Sequence, residues 1–180
     1  MMLGLDCTVR EVRNKTRDIE VTLVDGTRTS VNVNELIFIS GSLHGRGTTV
    51  WSGRFTCQLS GVEGEVVVKD CFIDPLRRYT KGKILAMLNK AKVTGVPRLI
   101  HEQLVPVEHP ITKEMITNST HILHALLGIP LDDPRYQLCV LSRLVTMPRG
   151  YPIFEFSSLA ELLVGFFDCI TCESPLVECG

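Results

Sequence analysis

Residues 41–51, GSLHGRGTTVW, form the first stretch whose composition suggests chemistry. Gly45 and Gly47 flank Arg46, and the residues that follow, TTVW, have the character of a β-strand. Glycine allows backbone N–H groups to approach a phosphate closely, because it has no Cβ. A bend in a hairpin has the same composition, and no Gly-Lys-Ser/Thr sequence of a P-loop follows. The stretch therefore predicts either a phosphate-contacting loop or a plain hairpin bend.

Lys69 is the second candidate for chemistry. It follows three valines in EVVVKD, residues 65–70, a run that predicts a strand. A lysine held on a rigid strand beneath a glycine-rich loop can neutralise phosphate oxygens if its ammonium is partly desolvated. A solvent-facing lysine at the end of a strand is the alternative, and Lys69 alone does not decide between them.

Two further pairs have the spacing of metal ligands. Cys169 and Cys172 are separated by two residues at the end of a predicted helix, and His121 and His124 have helical spacing. Neither pair is accompanied by the further ligands that a zinc site needs. The seven cysteines are scattered, several of them in apolar runs, which is typical of small core residues. We predict no metal site and no disulfide framework.

The elements that must position the loop and Lys69 are predicted from the hydrophobic pattern. Alternating runs separated by glycine turns, including one at Asp25-Gly26, predict about five strands within residues 5–75, which favours an antiparallel sheet. Helical spacing of Ile84, Leu85 and Leu88 predicts a helix that ends before residue 95, followed by a strand over 95–100.

The second half of the chain is less regular. Residues 101–134 give no definite prediction beyond a helix or a loop with a helical end. RYQLCVLSRLV, residues 135–145, predicts a strand. Residues 157–170 predict an amphipathic helix with Ser157 or Ser158 as its N-cap and Glu161 in its first turn, and the periodicity is lost after residue 170.

Composition limits the classes of partner. The chain has 180 residues, 44% of them hydrophobic and 22% charged, with a formal net charge of −1. These values are ordinary for one globular domain and give no electrostatic reason to expect nucleic acid or an anionic membrane as a partner. The early Asp6 and Arg10 and the short apolar runs predict no signal peptide and no membrane span, so we expect an intracellular protein, cytoplasmic or nuclear.

Four segments, taken in order, resemble the fungal-type protein kinase family: GRGTTVWSG, VVVKDCFID, KGKILAMLNKAKVTGVPRLI and RLVTMPRGYPIFEFSSLAELLVGFFDCI. The resemblance covers roughly residues 3–170. LHGRGTTV, residues 43–50, lies on the kinase pattern G-x-G-x-x-G-x-V, with Leu43 and Thr48 in place of the outer glycines. The resemblance implies an α+β fold: an antiparallel five-stranded kinase small lobe with one helix, followed by the hinge and the first helix of the large lobe.

The resemblance also implies ATP as the cofactor and a nucleotide as the partner. Gly45, Arg46 and Gly47 of the glycine loop would cover the phosphates, and Lys69 would hold them. Val50 would pack on the adenine. In the hinge, Thr146 would stand near the gatekeeper position and Met147 would offer backbone polar groups to the adenine.

Two departures from the kinase pattern shape the expected activity. Lys81 stands where kinases place the glutamate that pairs with the strand lysine, and Gly82 next to it weakens the helix by about 1 kcal/mol relative to alanine. The sequence stops before a His-Arg-Asp loop or an Asp-Phe-Gly motif. We therefore predict no catalytic residues, no phosphoryl transfer and no Mg²⁺ bound by this chain alone.

The first hypothesis is that the chain is a truncated kinase domain that binds a nucleotide. Two other hypotheses stay open. One is a pseudokinase fragment or interaction module whose apolar surface around residues 147–170, left exposed, binds a protein partner. The other is a small α+β protein whose likeness to kinases is coincidental.

The predicted domain organisation is a small lobe at 1–146 with an insert at 101–134, a hinge at 147–156, large-lobe helices at 157–172 and an unmatched tail at 173–180.

Overall fold

The computed structural model describes residues 9–11, 17–22, 27–40, 46–56, 61, 63–109, 111–131, 133 and 136–177. The predicted Asp25-Gly26 turn lies outside these residues. The described part forms nine β-strands, three α-helices and one short 3₁₀-helix. In chain order these are β1 Val9–Glu11, β2 Arg17–Thr22, β3 Arg28–Ile39, β4 Thr49–Thr56, β5 Glu63–Ile73, α1 Lys81–Lys90, β6 Arg98–Leu104, β7 Pro106–Glu108, β8 Met115–Thr117, α2 Thr120–Leu126, β9 Val140–Met147, the 3₁₀-helix Ile153–Glu155 and α3 Leu159–Val177.

Seven of the strands form one antiparallel sheet in the order β1-β2-β3-β4-β5-β9-β6. The predicted mixed α+β class and the antiparallel pairing are confirmed, and all five strands expected before residue 75 are present. The expected five-stranded sheet is wrong, because β6 and β9, the strands predicted at 95–100 and 135–145, join the other five in one seven-stranded sheet. The expected count of one helix in this lobe is also wrong, since α2 lies within the segment that gave no definite prediction.

The apolar core covers one face of the sheet, which we call the back face. Alternate residues of successive strands point to the same face, and β-branched residues occupy these positions. Phe55, Trp51 and Met147 complete the apolar surface on this side. The buried core consists of Ile19, Val21, Val31, Val33, Phe55, Val66, Val68, Ile100 and Val145.

The opposite face, which we call the front face, receives α1. Thr80 caps the helix by accepting the N–H of Lys83 at 3.2 Å. Asn89 near the other end accepts the N–H of Leu99 at 2.7 Å and donates to the carbonyl of Pro97 at 3.1 Å. The bonds of Asn89 tie the last turn of α1 to the start of β6.

The remaining elements differ from the sequence predictions in their bounds. Residues 101–134 contain the end of β6, the β7–β8 hairpin and α2, whereas strand β9 begins at residue 140 and not at 135. α3 starts after Ser158, whose hydroxyl accepts the N–H of Glu161, so the N-cap prediction is confirmed. The helix runs to Val177, beyond the point at which the hydrophobic period is lost.

Large apolar side chains are exposed between β9 and the end of the described part of α3. Phe154 is 77% exposed, and Tyr151, Leu159, Leu163 and Phe167 are exposed as well. The predicted exposed apolar surface at 147–170 is therefore present in the structure. None of the described helices is sufficiently long and apolar to cross a lipid bilayer.

Candidate anion-binding cleft

A row of paired residues places Lys69 on the front face. Val50 of β4 pairs with Lys69 of β5, Lys69 pairs with Leu144 of β9, and Leu144 pairs with Glu102 of β6. Directly paired residues of antiparallel strands project to the same face of a sheet. Lys69 therefore shares its face with Glu102, two strands away, whereas its neighbour Asp70 points to the back face.

The described residues that precede β4 are held against β5. The N–H of Ser40 donates to the carbonyl of Thr48 at 2.8 Å, and the carbonyl of Arg46 accepts the N–H of Phe72 of β5 at 2.8 Å. Gly47 has a φ of +52°, in the left-handed region that favours glycine. Residues 46–48 are thus held against β5, and Arg46 lies on the front face with Lys69.

Arg46 and Lys69 line a cleft of about 290 Å³ on the front face, together with Arg77 and Lys81. Glu102 is the single carboxylate among the described residues that line it. No ion pair joins any of these four cations to a carboxylate within the described residues. The cleft is therefore strongly cationic. The rest of its wall consists of Cys71, Ile73, Tyr79, Thr80, Ile84, Ser142 and Leu144.

Glu102 is held at the start of α1. Its Oε2 accepts the hydroxyl of Thr80 at 2.7 Å and its Oε1 accepts the N–H of Gly82 at 3.0 Å. A carboxylate at this end of a helix is favoured by the helix dipole and satisfies a free N–H group. Glu102 is not among the residues predicted from the sequence, because the kinase pattern places the carboxylate on the helix itself, whereas this one is supplied by the neighbouring strand.

Gly82 permits this approach. A Cβ built on Gly82 would collide with the carboxyl group of Glu102 and lie 2.8 Å from its Cβ. The residue that sequence analysis treated only as a helix-weakening glycine is thus required for close contact between α1 and β6.

Gly82→Ala is expected to destabilise the protein. The overpacking costs about 1–3 kcal/mol, and the better helix propensity of alanine returns about 1 kcal/mol, so the free energy of unfolding should fall by as much as about 2 kcal/mol. Urea denaturation of the variant and the unaltered chain measures this change in the free energy of unfolding. Gly165→Ala in α3 is the control, because no atom lies within 4 Å of the added Cβ, and it should stabilise. Equal stabilisation by both substitutions would contradict the contact with Glu102.

The predicted adenine-contacting residues lie outside the cleft lining. Val50 is beside Lys69 on the front face, and Thr146 is on the same face because it pairs with Val67, two residues before Lys69. The side chain of Met147 packs on the back-face core. Gly45 lies outside the described residues. The structure thus brings Arg46 and Lys69 together in one cleft and places Val50 and Thr146 on the adjoining part of the same face.

The segment after β9 is tied to β3 near Thr146. The Arg149 guanidinium donates to Glu35 at 2.9 Å, and the Ser52 hydroxyl donates to the same carboxylate at 3.0 Å. The Arg149 hydrogen bond, then that of Ser52 and then the charge of Arg149, hold the pKa of Glu35 below its ordinary value. Glu35 is therefore ionised at neutral pH and fixes the start of the segment that follows β9.

Three comparisons with known proteins give one match. The family model described as fungal protein kinase matches residues 1–180, and so includes the tail at 173–180. No curated protein and no solved structure matches the chain.

Proposed function

Because the chain belongs to the fungal protein kinase family, we propose that its front-face cleft binds a nucleotide through the phosphates. The observation that carries this proposal is the convergence of Lys69 on β5 and Arg46 just before β4 on one cleft. A lysine on the third of the strands β3, β4 and β5 and a loop between the first two are what the family resemblance implies for phosphate binding.

The order of the strands supports the same function. β3, β4, β5, β9 and β6 are neighbours in that order, and α1 lies between β5 and β6 in the chain. The resemblance to kinases implies such a five-stranded unit with one helix. Val50 and Thr146, which share the front face with Lys69, are proposed to contact the base, and the backbone of Met147 is proposed to offer it polar groups.

The proposed activity is binding without transfer. The sequence contains no His-Arg-Asp and no Asp-Phe-Gly motif, and these supply the base and a metal-binding aspartate in kinases. Lys81 in place of the helix glutamate adds a second ammonium to the cleft beside Lys69. Both features favour nucleotide binding without phosphoryl transfer by residues 1–180 alone.

Lys69→Ala should weaken ATP binding by at least about tenfold, since a hydrogen bond between charged groups contributes about 1.5–3 kcal/mol. Melting curves recorded with increasing ATP, in EDTA and in excess MgCl₂, measure this, because a ligand that binds the folded state raises the melting temperature. Lys83→Ala is the matched control: Lys83 is an exposed lysine of α1 that does not line the cleft. The absence of any shift with the unaltered chain in either medium would overturn the proposed function.

A second candidate function is protein binding through the exposed apolar surface formed by Tyr151, Phe154, Phe156, Leu159 and Leu163. All five side chains are exposed, and a group of exposed large apolar side chains is typical of an interaction site. Failure of the unaltered chain to bind ATP in the experiment above would favour this second function. None of the five apolar side chains lines the cleft, so protein binding does not depend on ATP binding there.

A further inference from the structure

The charges of the cleft bear on which form of a nucleotide it can hold. Four cationic side chains, Arg46, Lys69, Arg77 and Lys81, and one carboxylate, Glu102, line it. The sequence between β3 and β4, SGSLHGRGT at residues 40–48, contains no aspartate or glutamate. The cleft is therefore built for a highly charged anion, and it has little to attract a divalent cation.

The donor set fits Mg²⁺ poorly. Mg²⁺ prefers carboxylate and phosphate oxygens in octahedral geometry. Both oxygens of Glu102 already accept hydrogen bonds, from Thr80 and Gly82, and four cations share the cleft with it. Among the described residues, no three His, Cys, Asp or Glu side chains are grouped so that they could hold a metal ion. A Mg²⁺ ion brought in with a nucleotide would meet repulsion from Lys69 and Lys81 without a protein ligand to offset it.

We infer that the cleft takes ATP as the metal-free polyphosphate anion in preference to its Mg²⁺ complex, an inference that rests on the proposed nucleotide binding. Arg46, Arg77 and Lys81 then neutralise the phosphate charges that Mg²⁺ would otherwise neutralise. Binding of Mg²⁺ to ATP cancels two of its negative charges, and thereby weakens its attraction to the cationic cleft.

The preference for metal-free ATP over MgATP depends on Lys81. It is the first residue of α1 and it lines the cleft, where its ammonium adds to that of Lys69. Lys81→Glu would place a carboxylate in the cleft and should favour MgATP. Because acidic residues in the first turn suit the helix dipole, the variant should fold. Lys83→Glu makes the same change of charge on the same turn, at an exposed position outside the cleft lining.

Calorimetric titration of the whole chain with ATP, in EDTA and in excess MgCl₂ at matched ionic strength, tests the inference. We expect binding about tenfold tighter in EDTA, a preference reversed by Lys81→Glu and kept by Lys83→Glu. Equal or tighter binding of MgATP by the unaltered chain would overturn the inference and leave the proposed nucleotide binding standing. Binding in neither medium would overturn both.

Discussion

Asp70→Asn is expected to lower the free energy of unfolding by about 3–5 kcal/mol, as is typical when one partner of a buried ion pair is removed. The Asp70 carboxylate accepts two hydrogen bonds from the Arg143 guanidinium, one from Nε at 2.8 Å and one from Nη2 at 2.6 Å. The two residues are 6% and 1% exposed. The substitution removes the Asp70 charge from beside the buried Arg143 guanidinium.

Chemical denaturation of the variant and the unaltered chain measures this loss. Glu108→Gln, which breaks the exposed ion pair with Lys113, is the control and should cost less than about 1 kcal/mol. Asp70→Leu combined with Arg143→Met should recover most of the lost stability, because a buried pair replaced by apolar side chains leaves no uncompensated charge. If Asp70→Asn cost no more than Glu108→Gln, the buried pair would be refuted.

Phe55→Ala should be comparably destabilising, by about 3–5 kcal/mol. Phe55 is 2% exposed and packs in the back-face core with Val31, Val66 and Val68. Truncation to alanine removes most of its apolar contacts and leaves a cavity between strands that pair along their length and cannot easily collapse. The loss should appear in urea denaturation as a lower midpoint with an unchanged slope.

Phe154→Ala is the matched control for this second prediction. Phe154 is 77% exposed, so its truncation should change the free energy of unfolding by no more than about 0.5 kcal/mol. A small effect of Phe55→Ala, similar to that of Phe154→Ala, would mean that the back face does not carry the core.

Folding stability and ligand binding depend on opposite faces of one sheet. Lys69 and Asp70 are adjacent in the chain, yet the first lines the cleft and the second forms a buried ion pair on the back face. Strand alternation separates them. Substitutions at Lys69 or Lys81 should therefore change ligand binding with little effect on folding, whereas those at Asp70 or Phe55 should change folding.

The structural features that could be predicted from the sequence are those set by residues close together in the chain. The five strands before residue 75, helix α1, the N-cap at Ser158 and the placement of Lys69 on a strand all follow from alternation, helical spacing and capping residues that lie close together in the chain. These features depend on a few neighbouring residues, and the structure has them where the pattern predicted.

The features that were missed depend on pairing between distant segments. Glu102 reaches the cleft because β6 pairs with β9 across a register shift between Leu99 and His101, which no local pattern encodes. The placement of β9 and β6 in the same sheet as β1 to β5 likewise depends on non-local pairing. The helical end of 159–177 was missed because the apolar period fades there.

Hydrogen exchange of the backbone amides, with and without metal-free ATP, tests directly whether the front-face cleft binds phosphate. We predict slower exchange in residues 46–48, before β4, and in residues 80–84, at the start of α1, and loss of that effect in Lys69→Ala. Slower exchange confined to residues 115–126, around β8 and α2, or no change anywhere at saturating ATP, would contradict a phosphate-binding cleft on the front face.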